Sequence, residues 1–241
     1  MDRREADVYG GPPNLNLSHE VRIYLLSALF AVAAMIQWIL IYAFSDWRKY
    51  KMPQERYGFW LMGTFFGICL LSCTPFGRRC PWNVMIVIII VESSTLYIAV
   101  EQQNSKGYMV NIYAVTIVLL VVITSIFYGA YFPMRLVPGD LMLSLGVAVA
   151  NIMMILFFLN AFIIKNDTIF IIVRNYFAFT AITMIMYTAT IIHDRQSDVP
   201  KHEYVYLSVL LFFGQMILHE RILAISANTS RSHACALPKT N

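Results

Sequence analysis

Ionisable side chains inside long apolar stretches are the residues of this chain whose types could do chemistry. They are Glu92, Arg174, His219, Glu220 and Arg221. An ionisable group in hydrocarbon is costly unless it is paired or hydrated, so such groups usually face the interior of a helix bundle. We therefore predict that these side chains point inward, as candidates for ion pairing or for lining an ion path.

Arg174 and Glu220 lie at matching depths in two consecutive apolar stretches. Arg174 comes about five residues after the start of its stretch, and Glu220 about five residues before the end of the next. Antiparallel neighbours would put both roughly 8 Å below the same membrane surface. The spacing predicts an intramembrane ion pair. The alternative is that Arg174 and Arg221 extend to the headgroups while Glu220 lies at a hydrated helix end.

Glu92 lies near the middle of its apolar stretch, too deep to reach the headgroups. It therefore needs a partner or water. Asn151 and Gln215 lie at comparable depth in the fifth and seventh stretches, and we predict that the three side chains form a polar core. Two roles stay open for Glu92: a neutral carboxyl group in a helix–helix hydrogen bond, or a titrating group on an ion path.

Seven apolar stretches position these residues. Each is close to or above the roughly 20 residues that a helix needs to cross hydrocarbon. They are 23–44, 57–74, 84–100, 110–132, 141–164, 169–192 and 204–225. Their number and length predict an all-α, polytopic membrane protein with a bundle of seven transmembrane helices. We expect residues 1–21 to be a disordered arm, 22–225 the transmembrane domain and 226–241 a short polar tail.

Composition supports this class, because 59% of the residues are hydrophobic, 13% are charged and the mean hydropathy is +0.62. The expected partner is the lipid bilayer, and the net charge of +4 does not indicate nucleic-acid binding. Lys and Arg divide evenly between the two sides of a seven-span topology, so charge alone does not orient the bundle. We expect no enzyme, because no nucleophile stands with a base, and neither a metal-ligand spacing nor a cofactor motif is evident.

Three short motifs stand at the boundaries of the stretches. They are Gly77-Arg78-Arg79-Cys80-Pro81-Trp82-Asn83, His193-Asp194-Arg195-Gln196 and Glu203-Tyr204-Val205. The first resembles the basic loop and the Pro-Trp-Asn start of the third helix in the transmembrane Bax-inhibitor-motif family, particularly in its Lifeguard branch. The second and third are similar to that family's Phe-Asp-Thr-Gln and Glu-Tyr-Ile. The resemblance covers nearly the whole transmembrane region.

The resemblance implies a bundle whose last helix is central, wrapped by the other six, and a pH-sensitive calcium leak linked to suppression of cell death. The family's calcium leak is attributed to a pair of aspartates that share a proton and act as the latch of the pore. Asp194 matches the first aspartate, although from the residues alone it reads as a solvated loop residue. Gly214 stands where the second belongs. Coupled titration needs both carboxylates, so we expect pH gating to be absent or rebuilt from Glu92 or His219.

The family topology implies that the N-terminus, the Arg78-Arg79 loop and Asp194 face the cytosol of an endoplasmic reticulum or Golgi membrane, with the plasma membrane as the alternative. The leading hypothesis is modulation of calcium content and apoptosis, with calcium as the permeant ion and membrane or cell-death regulatory proteins as partners. The second is a non-conducting interaction protein. A seven-helix receptor is less well supported, because the last stretch carries no Asn-Pro-x-x-Tyr.

Overall fold

A bundle of long helices makes up the described part of the chain. The structure is a computed structural model that describes residues 19–44, 54–73, 82–104, 108–133, 136–193 and 204–236. Its helices are α1 His19–Phe44, α2 Gln54–Cys73, α3 Trp82–Asn104, α4 Tyr108–Tyr131, α5 Asp140–Leu159, α6 Asp167–Ile192 and α7 Tyr204–Ala236. A π-helical segment, Asn160–Ile164, continues α5. These ranges contain no strand, so the all-α class is confirmed.

Six helices within the described ranges are long and apolar enough to cross a membrane. The chain is therefore a multi-pass membrane protein. The exception is α2, whose apolar part there runs only over Trp60–Leu71, so the count of seven crossings remains a prediction. Helix bounds lie close to the predicted stretches at most ends. At the C-terminus, α7 continues to Ala236 and so extends into the segment assigned to the polar tail.

Burial is uneven among helices of similar hydropathy. In α3 and α7, 61% of the membrane-length window is buried within the protein, against 22–28% in α1, α4, α5 and α6. Helix α7 packs against α1, α3, α4 and α6, and α3 packs against α1, α2 and α7. Lipid tails are as apolar as leucine, so an exposed membrane helix keeps an apolar outer face. Hydropathy therefore does not distinguish the inner helices from the outer ones.

Two glycines allow close contact with α6. A Cβ atom at Gly129 of α4 would overlap the backbone carbonyl oxygen of Met186. A Cβ atom at Gly214 of α7 would lie 2.8 Å from Cγ1 of Ile185. Small residues at such positions let membrane helices pack closely by van der Waals contact. Helix α6 is thus held tightly between α4 and α7.

Hydrogen bonds within the α5–α6 connection fix the start of α6. The Asn160 side chain donates to the Asn166 carbonyl and accepts from the Asn166 amide, both at 3.0 Å. Lys165 adopts a left-handed conformation with φ 55°, which reverses the chain. Asn166 then caps α6, its Oδ1 accepting from the Thr168 amide at 2.9 Å. This anchored start sets the depth of the residues that follow along α6.

Candidate functional site

Arg174 of α6 and Glu220 of α7 form a buried ion pair inside the bundle. Arg174 Nε lies 3.0 Å from Glu220 Oε1, and the two side chains are only 9% and 8% exposed. The guanidinium carbon also lies 4.1 Å above the ring centre of Phe170, a cation–π geometry. The structure thus brings together the two residues that the depth argument paired. Arg174 is enclosed by protein, contrary to the alternative in which it extends to the headgroups.

A second polar contact joins α6 and α7, between the residues that directly follow Arg174 and Glu220. Arg221 Nε donates to Asn175 Oδ1 at 2.7 Å, on a more exposed side of the α6–α7 contact. Arg221 is half-buried, so it points only partly into the bundle. The physical reason is helix geometry: consecutive residues differ in direction by about 100°. Burial of Glu220 therefore turns Arg221 toward the periphery.

The ion pair lines a cavity between α2, α3, α5, α6 and α7. The cavity volume is about 40 Å³, enough for roughly two or three water molecules. Most of its wall is apolar and includes the aromatic side chains of Phe65, Phe157 and Phe213. Water bound there would hydrate the pair, and a hydrated pair of charges within a bundle is a candidate part of an ion path.

His219 lies outside this cavity lining, on a different side of α7 from Glu220. It is buried and stacks on Trp38 of α1, with ring centres 5.0 Å apart and planes inclined by 16°. Trp38 Nε1 also donates to the Thr95 carbonyl of α3 at 3.0 Å. His219 therefore belongs to a packed junction of α1, α3 and α7. This placement gives no geometric support to its role as a replacement for the family's latch.

The predicted polar core of Glu92, Asn151 and Gln215 is wrong. Glu92 is exposed on the outer surface of the bundle, where its Oε1 accepts from Gln37 Nε2 of α1 at 2.6 Å. Asn151 is exposed on α5 and donates to the Val147 carbonyl of its own helix at 2.8 Å. Gln215 is half-buried on α7. Equal depth did not bring these residues together, because depth does not fix the rotation of a helix about its axis.

The position of the second latch aspartate is closely packed. Gly214 is buried against Ile185 and Met184 of α6, so a side chain there requires one of these neighbours to move. Asp194, Arg78, Arg79 and Pro81 lie outside the described residues.

The motif residues that follow this basic loop begin α3. Trp82 is exposed, and Asn83 Oδ1 accepts from the Val84 amide at 2.8 Å, which satisfies a free amide at the helix start.

A polar cluster at the opposite end of the bundle was missed from the sequence. His193, at the end of α6, has its Nδ1 3.7 Å from Glu20 Oε2 and its Nε2 3.3 Å from the Tyr24 hydroxyl, both on α1. The Tyr131 ring of α4 lies 6.2 Å from the His193 ring, centre to centre. The signal that could have found it is again depth, because Glu20 comes just before the first apolar stretch and His193 just after the sixth, at the same surface.

No family model, curated protein or solved structure matches this chain. Within the described ranges, no group of three His, Cys, Asp or Glu side chains is arranged to hold a metal ion.

Proposed function

We propose that this protein is a Lifeguard-like member of the transmembrane Bax-inhibitor-motif family. It would modulate the calcium content of an endoplasmic reticulum or Golgi membrane, and with it the sensitivity to cell death, through a leak that depends weakly on pH. The observation that carries the proposal is the Arg174–Glu220 pair beside a cavity within the bundle. The three boundary motifs, the burial of α7 and its contacts with four other helices support it.

The ion pair supports a leak because charges in hydrocarbon are costly and are typical of ion and proton paths. It joins α6 and α7, the same helices that the family's latch would join. The pair lies about 9 Å from the end of the membrane-length window of α7. The Gly214 position lies further toward the opposite surface. We infer that Arg174 and Glu220 hold the two helices together in place of the paired carboxylates.

The expected weak pH dependence rests on Gly214. A coupled pair of carboxylates titrates as a unit, and one carboxylate without its partner loses that coupling. Close packing of Gly214 against Ile185 leaves no space for a carboxylate in this arrangement.

The same packing favours the second candidate function, a non-conducting interaction protein in which tight α6–α7 contact has replaced the gate.

Calcium efflux from proteoliposomes between about pH 6 and 8 distinguishes the two candidates. We expect efflux from the wild-type protein with a shallow pH profile, and a severalfold change in rate for Glu220→Gln. The double variant Gly214→Asp, Ile185→Ala restores the carboxylate with space for it and should steepen the profile. Adding Asp194→Asn to this variant should flatten it again.

The matched control for these variants is Asn151→Leu, an exposed polar residue on α5 that is not among the cavity-lining residues and should leave efflux unchanged. If folded, reconstituted protein gives no efflux in the wild type or in any variant, the channel proposal is wrong and the interaction role is favoured.

A further inference from the structure

Arg221 carries a charge at the α6–α7 contact that no carboxylate balances in the described structure. The nearby Glu220 carboxylate faces Arg174, and Arg221 bonds through Nε to the neutral side chain of Asn175 at 2.7 Å. Among the described residues, no acidic side chain lies within ion-pair distance of the Arg221 guanidinium. A guanidinium is not deprotonated in proteins. The group formed by Arg174, Glu220 and Arg221 therefore carries a net positive charge.

This charge lies at membrane depth on the more exposed side of the α6–α7 contact. Arg221 comes five residues before the end of the α7 membrane window at Ser226, about 8 Å below that surface. Asn175 is exposed and comes eight residues after the start of α6 at Asp167, about 12 Å below the same surface. A charge at this depth is costly unless it is paired or hydrated, so the site favours a bound anion.

Arg221 and Asn175 keep hydrogen-bond donors for such an anion. Their mutual bond uses Nε of Arg221 and Oδ1 of Asn175, which leaves the two terminal guanidinium nitrogens and the Asn175 amide nitrogen. Exposed apolar side chains flank these donors at helical spacing. They are Ile171 and Phe179, one turn to either side of Asn175, and Ile225, one turn after Arg221. A group of donors set in an apolar surface suits an anion that is attached to hydrocarbon chains.

We propose that Arg221 and Asn175 bind the phosphate group of an anionic phospholipid. The Arg221 guanidinium would donate through both terminal nitrogens to two phosphate oxygens, in the bidentate geometry that arginine favours. The Asn175 amide nitrogen would donate to the same phosphate group. The acyl chains would extend along Phe179 toward the middle of the bilayer. The negative charge of the lipid would offset the positive charge of the site.

Charge and surroundings favour an anionic lipid over other occupants. A zwitterionic phospholipid has the same phosphate group, but its ammonium group cancels the negative charge that the site needs. A free inorganic anion would lose water against Ile171, Phe179 and Ile225 and would gain no apolar contact in return. Basic sites between transmembrane helices bind lipid headgroups in other membrane proteins.

Binding of labelled lipids to the full chain in neutral detergent tests the proposal. The probes are phosphatidylglycerol and phosphatidylcholine with the same fluorescent acyl chain, which share a phosphodiester and differ in net charge. We expect tighter binding of phosphatidylglycerol, and Arg221→Gln should weaken it by about 10- to 100-fold, the effect of losing hydrogen bonds from a charged group. Arg221→Lys should retain part of the affinity, because it keeps the charge without the bidentate geometry. Asn175→Leu should weaken binding severalfold.

The matched control is Arg22→Gln, which removes an equal charge from an exposed position at the opposite membrane surface and should leave binding unchanged. Inorganic phosphate should not displace the labelled lipid, and thermal unfolding checks that each variant is folded. Equal affinity for the two lipids, unchanged binding by folded Arg221→Gln, an equal loss in Arg22→Gln or displacement by phosphate would each overturn the proposal. Lipid binding in detergent does not require ion conduction, so the result is independent of the proposed calcium leak.

Discussion

The guanidinium of Arg174 is held from two directions, by the Glu220 carboxylate of α7 and by the Phe170 ring one helical turn earlier on α6. Both charged side chains are more than nine-tenths buried. Removal of one member of such a pair leaves an uncompensated buried charge, whereas apolar replacement of both members leaves no buried charge. The pair is therefore most sensitive to single substitutions.

We expect Glu220→Leu to lower the free energy of unfolding by about 3–5 kcal/mol, because Arg174 would keep its buried charge without the carboxylate. The double variant Arg174→Met, Glu220→Leu should recover most of that loss. Thermal unfolding of detergent-purified protein, followed by tryptophan fluorescence, measures both effects.

The matched control for this pair is Arg221→Leu, which breaks the more exposed bond to Asn175 and should cost about 1 kcal/mol or less. A double variant as unstable as the single one would show that the pair is held by something other than charge compensation.

At the scale of the elements, α6 is the helix on which the site depends. Its start is fixed by the Asn160–Asn166 hydrogen bonds, and its C-terminal half is clamped between Met184 and Ala189 by close contacts at Gly214 and Gly129. A side chain can rotate away from an added methyl group, but a backbone carbonyl cannot. The two glycines should therefore differ in their tolerance of alanine.

We expect Gly129→Ala to destabilise the protein by about 1–3 kcal/mol, since the new methyl group meets the Met186 carbonyl oxygen. Gly214→Ala should cost less, because Ile185 can adjust. Combined with Ile185→Ala, its cost should be smaller than the sum of the two single costs.

Gly146→Ala of α5 is the control for the glycine series, because nothing lies within 4 Å of its added methyl group. It should be neutral or stabilising by up to about 1 kcal/mol. Additive costs for Gly214→Ala and Ile185→Ala would contradict direct contact between the two positions.

At the scale of the whole molecule, the contacts divide the bundle into two ends. One end holds the start of α1, the end of α6 and the start of α7. There His193 lies near Glu20, and Ser208 Oγ donates to the Ile23 carbonyl at 3.0 Å. The cavity and the Arg174–Glu220 pair lie toward the other end. The start of α1 and the end of the membrane window of α7 therefore belong to opposite membrane surfaces.

Labelling with a membrane-impermeant thiol reagent tests this topology in a background in which all four cysteines, Cys69, Cys73, Cys80 and Cys235, are replaced by serine. Glu20→Cys should react only from one side of sealed vesicles and Ser226→Cys only from the other. Ile123→Cys, exposed to lipid in the middle of α4, should react from neither. Reaction of Glu20→Cys and Ser226→Cys from the same side would mean that an even number of helices crosses the membrane, with α2 as the one that does not.

The sequence by itself determined the class, the approximate helix ranges and the depth of each polar residue, because all three depend on hydropathy and length along one helix. Depth was sufficient to predict the ion pair of Arg174 and Glu220, because these residues lie on neighbouring antiparallel helices. It failed for Glu92 and Asn151, which face away from the bundle interior. Only the tertiary structure decided the rotation of each helix, and with it the cavity, the Trp38–His219 stack and the exposed Glu92–Gln37 pair. The physical reason is that lipid and protein interior are equally apolar, so hydropathy does not reveal which face of a membrane helix is buried.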